Sequence, residues 1–321
     1  NYSCTNVSGT ASLNGTNDTW SAGVLSHNVD IGISDLEPGV FGSSATWAGG
    51  ANHDPVLSGD YAVSFTGPDH TAAQLQAMTH STIFQQTFGF VVSSNLTNIN
   101  DLPKDQIAAI FDGAVGDWSQ VTVTGNPTTP PASGTINVCH REIGSGTRAS
   151  TDLFLNHTGC VTGAQSIGAS DAGNDNFQTA AELDCVNAAS GNAIGYVSVD
   201  NFSKLGAGKA FPNVKLITVS GITPSALNSA TGTYGYVYEA SLNRNASLSA
   251  DALALVPTMQ SALQNVNTTS TSAQITAIPG QPSANVASTP LQVGTGGVLT
   301  SNFFRTGGAG NSCHELSNVH N

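Results

Sequence analysis

The sequence predicts an α/β protein built on mainly parallel sheets, and three observations carry that prediction. Short apolar runs bounded by Gly, Ser and Asn alternate with segments of helical periodicity along much of the chain. No segment repeats at the roughly 20–50-residue spacing of solenoids and propellers. The 321 residues are enough for two domains of ordinary size, each with its own core.

The elements follow in order. Residues 1–30 are rich in Asn, Ser, Thr and Gly and show little periodicity, whereas VDIGISD (29–35) reads as a buried strand entering a loop at Ser34 and Asp35. Residues 38–60 form a Gly/Ser/Ala-rich surface excursion, HTAAQLQAMTHSTIF (70–84) has helical content, and FGFVVSS (88–94) is a buried strand. In LPKDQIAAIFDGAVGDWSQV (102–121), Pro103 suits a helix start. There Ile107, Ile110 and Phe111 share a face, Gly113 stops the helix and Trp118 packs back onto it. After the Pro-rich loop 122–134, TINVCHR (135–141) is a strand and STDLFLNHTG (150–159 within the run after Gly144) a helix with Leu153 and Phe154 inward. Residues 176–189 are helical, NAIGYVSVDNF (192–202), VKLITVSGI (214–222) and TYGYVYEASL (233–242) are strands, and 249–266 is a helix kinked or split at Pro257.

Composition narrows the function. Charged residues make up 9%, against about 25% in ordinary soluble domains, and the net charge is −13. Polarity comes from Asn, Ser, Thr and Gly, a profile that suits a periplasmic or extracellular protein. No basic stripe exists to follow a nucleic-acid backbone, and no apolar run is long enough to span a membrane. No signal peptide is visible, so the chain is expected to be mature or to have been trimmed. Asn-x-Ser/Thr triplets recur, as an Asn/Thr-rich composition generates them by chance. Of the five cysteines, Cys4, Cys139, Cys160, Cys185 and Cys313, none forms a Cys-x-x-Cys pair, so neither a zinc ribbon nor a thioredoxin-like motif is present. Two disulfides with one cysteine left over are expected in an exported protein. Cys139 with Cys160 and Cys185 with Cys313 are the expected pairs, though sequence alone leaves the pairing open.

The chemistry concentrates at REIGSGTRAST (141–151). Arg141, one of only eight Lys and Arg residues, ends a predicted strand and so projects from the sheet edge where ligands of open α/β sheets sit. Gly144 and Gly146 allow close backbone approach, and Ser145 and Thr147 open a helix whose first N–H groups favour an anion. Asp35 follows another buried strand. A carboxylate in an anion site repels unless the anion carries a proton, so Asp35 would accept a hydrogen bond from a protonated phosphate and reject fully ionised sulfate. The bland alternatives are that Ser145 is an ordinary N-cap, Arg141 a surface ion-pair partner and Asp35 a loop cap. A serine-hydrolase elbow centred on Ser145 would need glycines at positions occupied by Ile143 and Thr147. Cys139–His140 and Cys313–His314 lack the spacing of a metal site, and the glycine-rich stretches 294–297 and 307–310 lack a dinucleotide-binding context, so no metal or cofactor is expected.

Four stretches, VDIGISD (29–35), IAAIFDGAVGDWSQV (107–121), REIGSGTRASTDLF (141–154) and GNAIGYV (191–197), stand in an order that resembles the phosphate-binding proteins of bacterial high-affinity phosphate ABC transporters. The resemblance implies a two-lobe periplasmic-binding-protein-like fold, each lobe a sheet flanked by helices, with two hinge crossings near residues 93–102 and 222–235. Lobe I would comprise 1–95 plus 230–321 and lobe II 96–229. It implies a non-enzymatic protein that captures inorganic phosphate for an ABC permease. Asp35, with Ser34 beside it, would take the phosphate proton, Arg141 would pair with phosphate oxygens, and Ser145, Gly146 and Thr147 would donate to them. The chain departs from the family's pattern at its start, NYSCTNVSGTASLNG, where the glycine-rich phosphate segment has no counterpart. Thr16, Asn17 and Thr19 are the stand-ins for a serine turn expected before Asp35. The family's acid two residues after the arginine is replaced by Ile143, with Glu142 adjacent. The competing reading is an extracellular structural or adhesive protein that self-assembles and keeps the fold with a drifted site. A third is the same clamp tuned to another small anion.

Overall fold

The structure, a computed structural model, describes residues 2–4, 9–13, 16–20, 25–27, 31–34, 78–122, 133–141, 145–156, 175–176, 178–189, 192–245, 247–248, 250–264, 277–279, 303–305 and 316–318. Near the start, β1 (Tyr2–Cys4) pairs with β4 (Leu25–His27), and β2 (Gly9–Leu13) with β3 (Thr16–Trp20), both antiparallel. Strand β5 (Ile31–Ser34) is the predicted VDIGISD strand. The organising element is β6 (Met78–Ser93), sixteen residues long. Beyond it come β7 (Asp101–Leu102), α1 (Lys104–Phe111), β8 (Asn137–Val138), β9 (His140–Arg141) and α2 (Gly146–Asn156). Then follow β10 (Asp175–Asn176), α3 (Thr179–Ala188), β11 (Ala193–Ser198), β12 (Val214–Leu216) and β13 (Thr218–Val219). The chain continues through α4 (Ala226–Ala230), β14 (Val237–Asn245), α5 (Ala250–Gln264), β15 (Ala277–Pro279), β16 (Phe303–Arg305) and β17 (Leu316–Asn318).

The central sheet runs β5-β14-β6-β11-β8, with β12 and β15 also on β6. Strand β6 changes partner midway: Met78 to Thr87 pair with β14, and Phe88 to Val92 pair with β11. One strand thus belongs to both halves of a two-part α/β fold. The sheet is mixed, which corrects the expectation of mainly parallel sheets. All four partners of β6 run against it, and only β8–β11, β9–β10 and β7–β13 are parallel among the described pairs. The cause is the length of β6, which traverses both halves so that strands on either side return along it. The expected helical content in 70–84 is also corrected for 78–84, which is strand. From Thr79 to Thr87 the chain is laddered to β14, and cross-strand pairing overrides local helix propensity. TINVCHR breaks into β8 and β9 at Cys139, where the chain leaves β11 to pair with β10. Helix α5 runs through Pro257 without interruption.

Side-chain alternation along β6 and β11 feeds two cores. Phe88, Phe90, Val92, Ile194 and Tyr196 meet Ile107, Ile110 and Phe111 of α1 and Ala149 and Leu153 of α2. Val91, Ala193 and Val197 meet Leu183 and Val186 of α3 on the opposite face. All six residues of β11 are buried, as expected of a strand covered on both sides. The predicted helix stop is observed: Gly113 adopts φ 78°, a conformation that suits glycine, just after α1. Trp118 is fully buried and its indole N–H donates to Asn192 O at 3.0 Å, so it anchors the loop after α1 to the chain entering β11.

Candidate anion site

Strand β9 delivers Arg141 to the end of the sheet. It pairs in parallel with β10, Arg141 opposite Asn176, and Asn176 Nδ2 returns a bond to His140 O at 3.0 Å. The Arg141 backbone N–H donates to the Tyr196 hydroxyl at 2.9 Å, which fixes the strand to the buried face of β11. Its guanidinium is held from the α3 side: Nε donates to Asn176 O at 3.0 Å and Nη1 to Thr179 Oγ1 at 3.1 Å. The side chain remains partly exposed at this rim.

Helix α2 begins at Gly146, two residues after position 144. Ser145, almost wholly buried, accepts from Arg148 N at 3.4 Å through Oγ and from Ala149 N at 2.9 Å through its carbonyl, so it is the N-cap. A hydroxyl that accepts still has its own proton to donate. Gly146 and Thr147 form the first turn, where backbone N–H groups have no partner within the helix. Their carbonyls are engaged one turn on: Ser150 Oγ donates to Gly146 O and Thr151 Oγ1 to Thr147 O, each at 2.8 Å. Thr151 also bonds the Tyr236 hydroxyl, docking α2 on the aromatic core.

Sequence reasoning missed Arg148. It is 2% exposed, and its Nη1 donates to Arg141 O at 3.0 Å while its backbone N–H reaches the Ser145 hydroxyl. Arg148 therefore ties the strand end bearing Arg141 to the cap of α2 and sets their spacing. The available signal was an Arg148/Asp152 pair four residues apart on one helix, both now found buried. Glu182 of α3 was missed as well. It is fully buried, and its Oε1 accepts from Tyr196 N at 2.9 Å. Burial pushes its carboxyl well above the ordinary glutamate value, opposed by that N–H and by the positive charge of Arg141.

The expected disulfides are corrected. Cys139 is bonded to Cys185 of α3, 46 residues away, with Cα atoms 6.0 Å apart. Helix α3 packs on the sheet face to which Cys139 points, so proximity in space and not in sequence chose the partner. The pairs Cys139–Cys160 and Cys185–Cys313 are both overturned, and Cys160 and Cys313 lie outside the described residues. Asp35 and Gly144 also lie outside them. Ser34 ends β5 opposite Ser241 of β14. Thr16, Asn17 and Thr19 lie in β3, opposite Leu13, Ser12 and Thr10. Arg141, Ser145, Gly146 and Thr147 are thus brought to the two ends of one short connection.

A guanidinium held at a sheet end, with a helix N-terminus directly after it, is suited to a small oxyanion. A family model described as PBP superfamily domain matches residues 65–246. The chain belongs to that superfamily. It is a family of solute-binding proteins. Solved structures resembling the chain include an ABC-type phosphate transport receptor from Vibrio cholerae, with 16% identity, a TM-score of 0.45 and coverage of 72% of this chain and 73% of that one. A putative phosphate ABC transporter substrate-binding protein with bound phosphate, from Clostridium perfringens, has 17% identity, a TM-score of 0.42 and 71% coverage of each chain. PstS from Borrelia burgdorferi has 16% identity, a TM-score of 0.41 and coverage of 60% of this chain and 70% of that one. No match to a curated protein sequence is found. No helix among the described residues is long and apolar enough to cross a membrane.

Proposed function

We propose that the protein is an exported, non-enzymatic solute-binding protein that captures inorganic phosphate between two lobes and presents it to an ABC permease. The observation that carries this reading is the placement of Arg141 on β9 and of Ser145, Gly146 and Thr147 at the start of α2, coupled through Arg148. Membership of a solute-binding superfamily and the four ordered sequence stretches support it. Arg141 supplies charge-assisted hydrogen bonds, the first turn of α2 supplies N–H and hydroxyl donors, and Asp35 accepts the phosphate proton. Lobe I comprises 1–95 with 230–321 and lobe II 96–229, and β6 changes from the β14 partner to the β11 partner at Thr87/Phe88, a few residues ahead of that boundary. Periplasmic or cell-surface residence follows from this role.

Calorimetric titration of phosphate and sulfate into the wild type and Asp35→Asn tests the reading. The wild type is expected to bind phosphate and reject sulfate, and the variant to admit sulfate. A folded full-length protein that takes up no phosphate would refute it and favour a structural, self-assembling role.

A further inference from the structure

We propose that Thr179 is the positioning residue for Arg141, fixing from α3 the plane in which the guanidinium meets an anion; this rests on reading Arg141 as the anion-binding cation. An arginine offers five N–H donors in one plane, so two directed bonds are enough to orient the whole fork. Here Nε is directed to Asn176 O and Nη1 to Thr179 Oγ1, and both acceptors sit within four residues at the entry to α3. Neither acceptor is a carboxylate. Both bonds go to neutral oxygens, so neither of them cancels the guanidinium charge.

The position of Thr179 is itself set by α3. One turn on, Glu182 accepts the Tyr196 backbone N–H, and Cys185 is bonded to Cys139, two residues before Arg141 in the chain. The strand that carries the arginine and the helix that carries its acceptor are thus covalently joined. Position 143, where the resembled family tends to carry an acid, holds Ile143, and two neutral oxygens of the neighbouring segment accept from the guanidinium.

Thr179→Val keeps shape and branching but removes the acceptor, and Thr179→Ser restores it. Phosphate titration should show Thr179→Val weaker by roughly tenfold, about the worth of one hydrogen bond from a charged group. Thr179→Ser should remain within about twofold of wild type, and both variants should melt with the parent, as judged against a bond of modest stability value. Thr179→Ala replaces the valine variant if that one does not fold. Unchanged phosphate affinity in the acceptor-less variant overturns the proposal. If the wild type binds no phosphate, the anion reading fails, and nitrogen-15 NMR of the Arg141 Nη1–H groups, whose nitrogen donates to Thr179 Oγ1, decides the positioning role. Faster exchange without the acceptor, recovered in Thr179→Ser, supports it; equal exchange in all three proteins overturns it.

Discussion

The face of the central sheet that carries α1 and α2 is filled by large rings, whereas the face that carries α3 is packed mainly by aliphatic side chains, with Phe202 and Phe211 against them, and is tied by polar bonds and a disulfide. On the first, Tyr236 stacks between Phe154, with centroids 4.7 Å apart, and Phe90, at 5.0 Å, while Phe88 lies at 5.3 Å. Burial there is spread over many side chains, each contributing about 1.5–3 kcal/mol. On the second, Gly195 brings the strand so close to α3 that an added Cβ would lie 2.9 Å from Val186 Cγ2 and 3.3 Å from Cys139 O. The difference teaches where the site is vulnerable. Arg141 lies between these faces, gripped by α3 and its entry on one side and tied through Arg148 to α2 on the other.

Removing the covalent tie should have the largest effect on this contrast. The Cys139→Ser/Cys185→Ser protein is expected to lose about 4 kcal/mol, the chain-entropy value for a 46-residue loop. Denaturant unfolding reads this, and phosphate affinity should fall with it because α3 positions Arg141; full stability and affinity would show that the two faces are equally robust. Gly195→Ala comes next, at about 1–3 kcal/mol for overpacking, with a lower melting temperature as the measurement. On the aromatic face Tyr236→Phe, which keeps the ring and removes only the bond to Thr151, should cost about 1 kcal/mol in the same assay.

The smallest effect expected at neutral pH concerns Glu182. Its folded carboxyl titrates well above the ordinary value of 4.5, so the native state holds a proton that the unfolded state releases. Stability contributed by the neutral form is therefore complete below about pH 4.5 and is lost as pH rises toward the folded value. Glu182→Gln, whose amide oxygen still accepts the Tyr196 N–H, should flatten the decline in melting temperature as pH rises above about 4.5. A slope identical to that of the wild type would show that the buried carboxyl is not the source.

Much of the α3 side was invisible in the sequence, while the α2 side was legible. Strand-then-glycine-then-helix chemistry marked Arg141 and Ser145 because every signal lay within a few consecutive residues. Ile107, Ile110, Phe111 and Gly113 were readable for the same reason. The Cys139–Cys185 bond and the acceptors Asn176 and Thr179 were not, because they depend on α3 folding back across the sheet from more than thirty residues away. Arg148 was overlooked since a buried arginine on a helix looks in sequence like a surface one. The strand character of 78–84 was hidden because its evidence lies in β14, about 160 residues later. The sheet's mixed pairing was hidden likewise, since alternation of strands and helices does not record which way a long central strand is crossed.

Calorimetric titration of phosphate into the wild type and Arg141→Ala tests the central claim most directly. Capture of phosphate by Arg141 and the start of α2 predicts saturable one-to-one binding by the wild type. In Arg141→Ala it predicts a loss of at least about a hundredfold, the scale of losing several charge-assisted hydrogen bonds. Equal phosphate binding by the two proteins, both folded, would contradict the account.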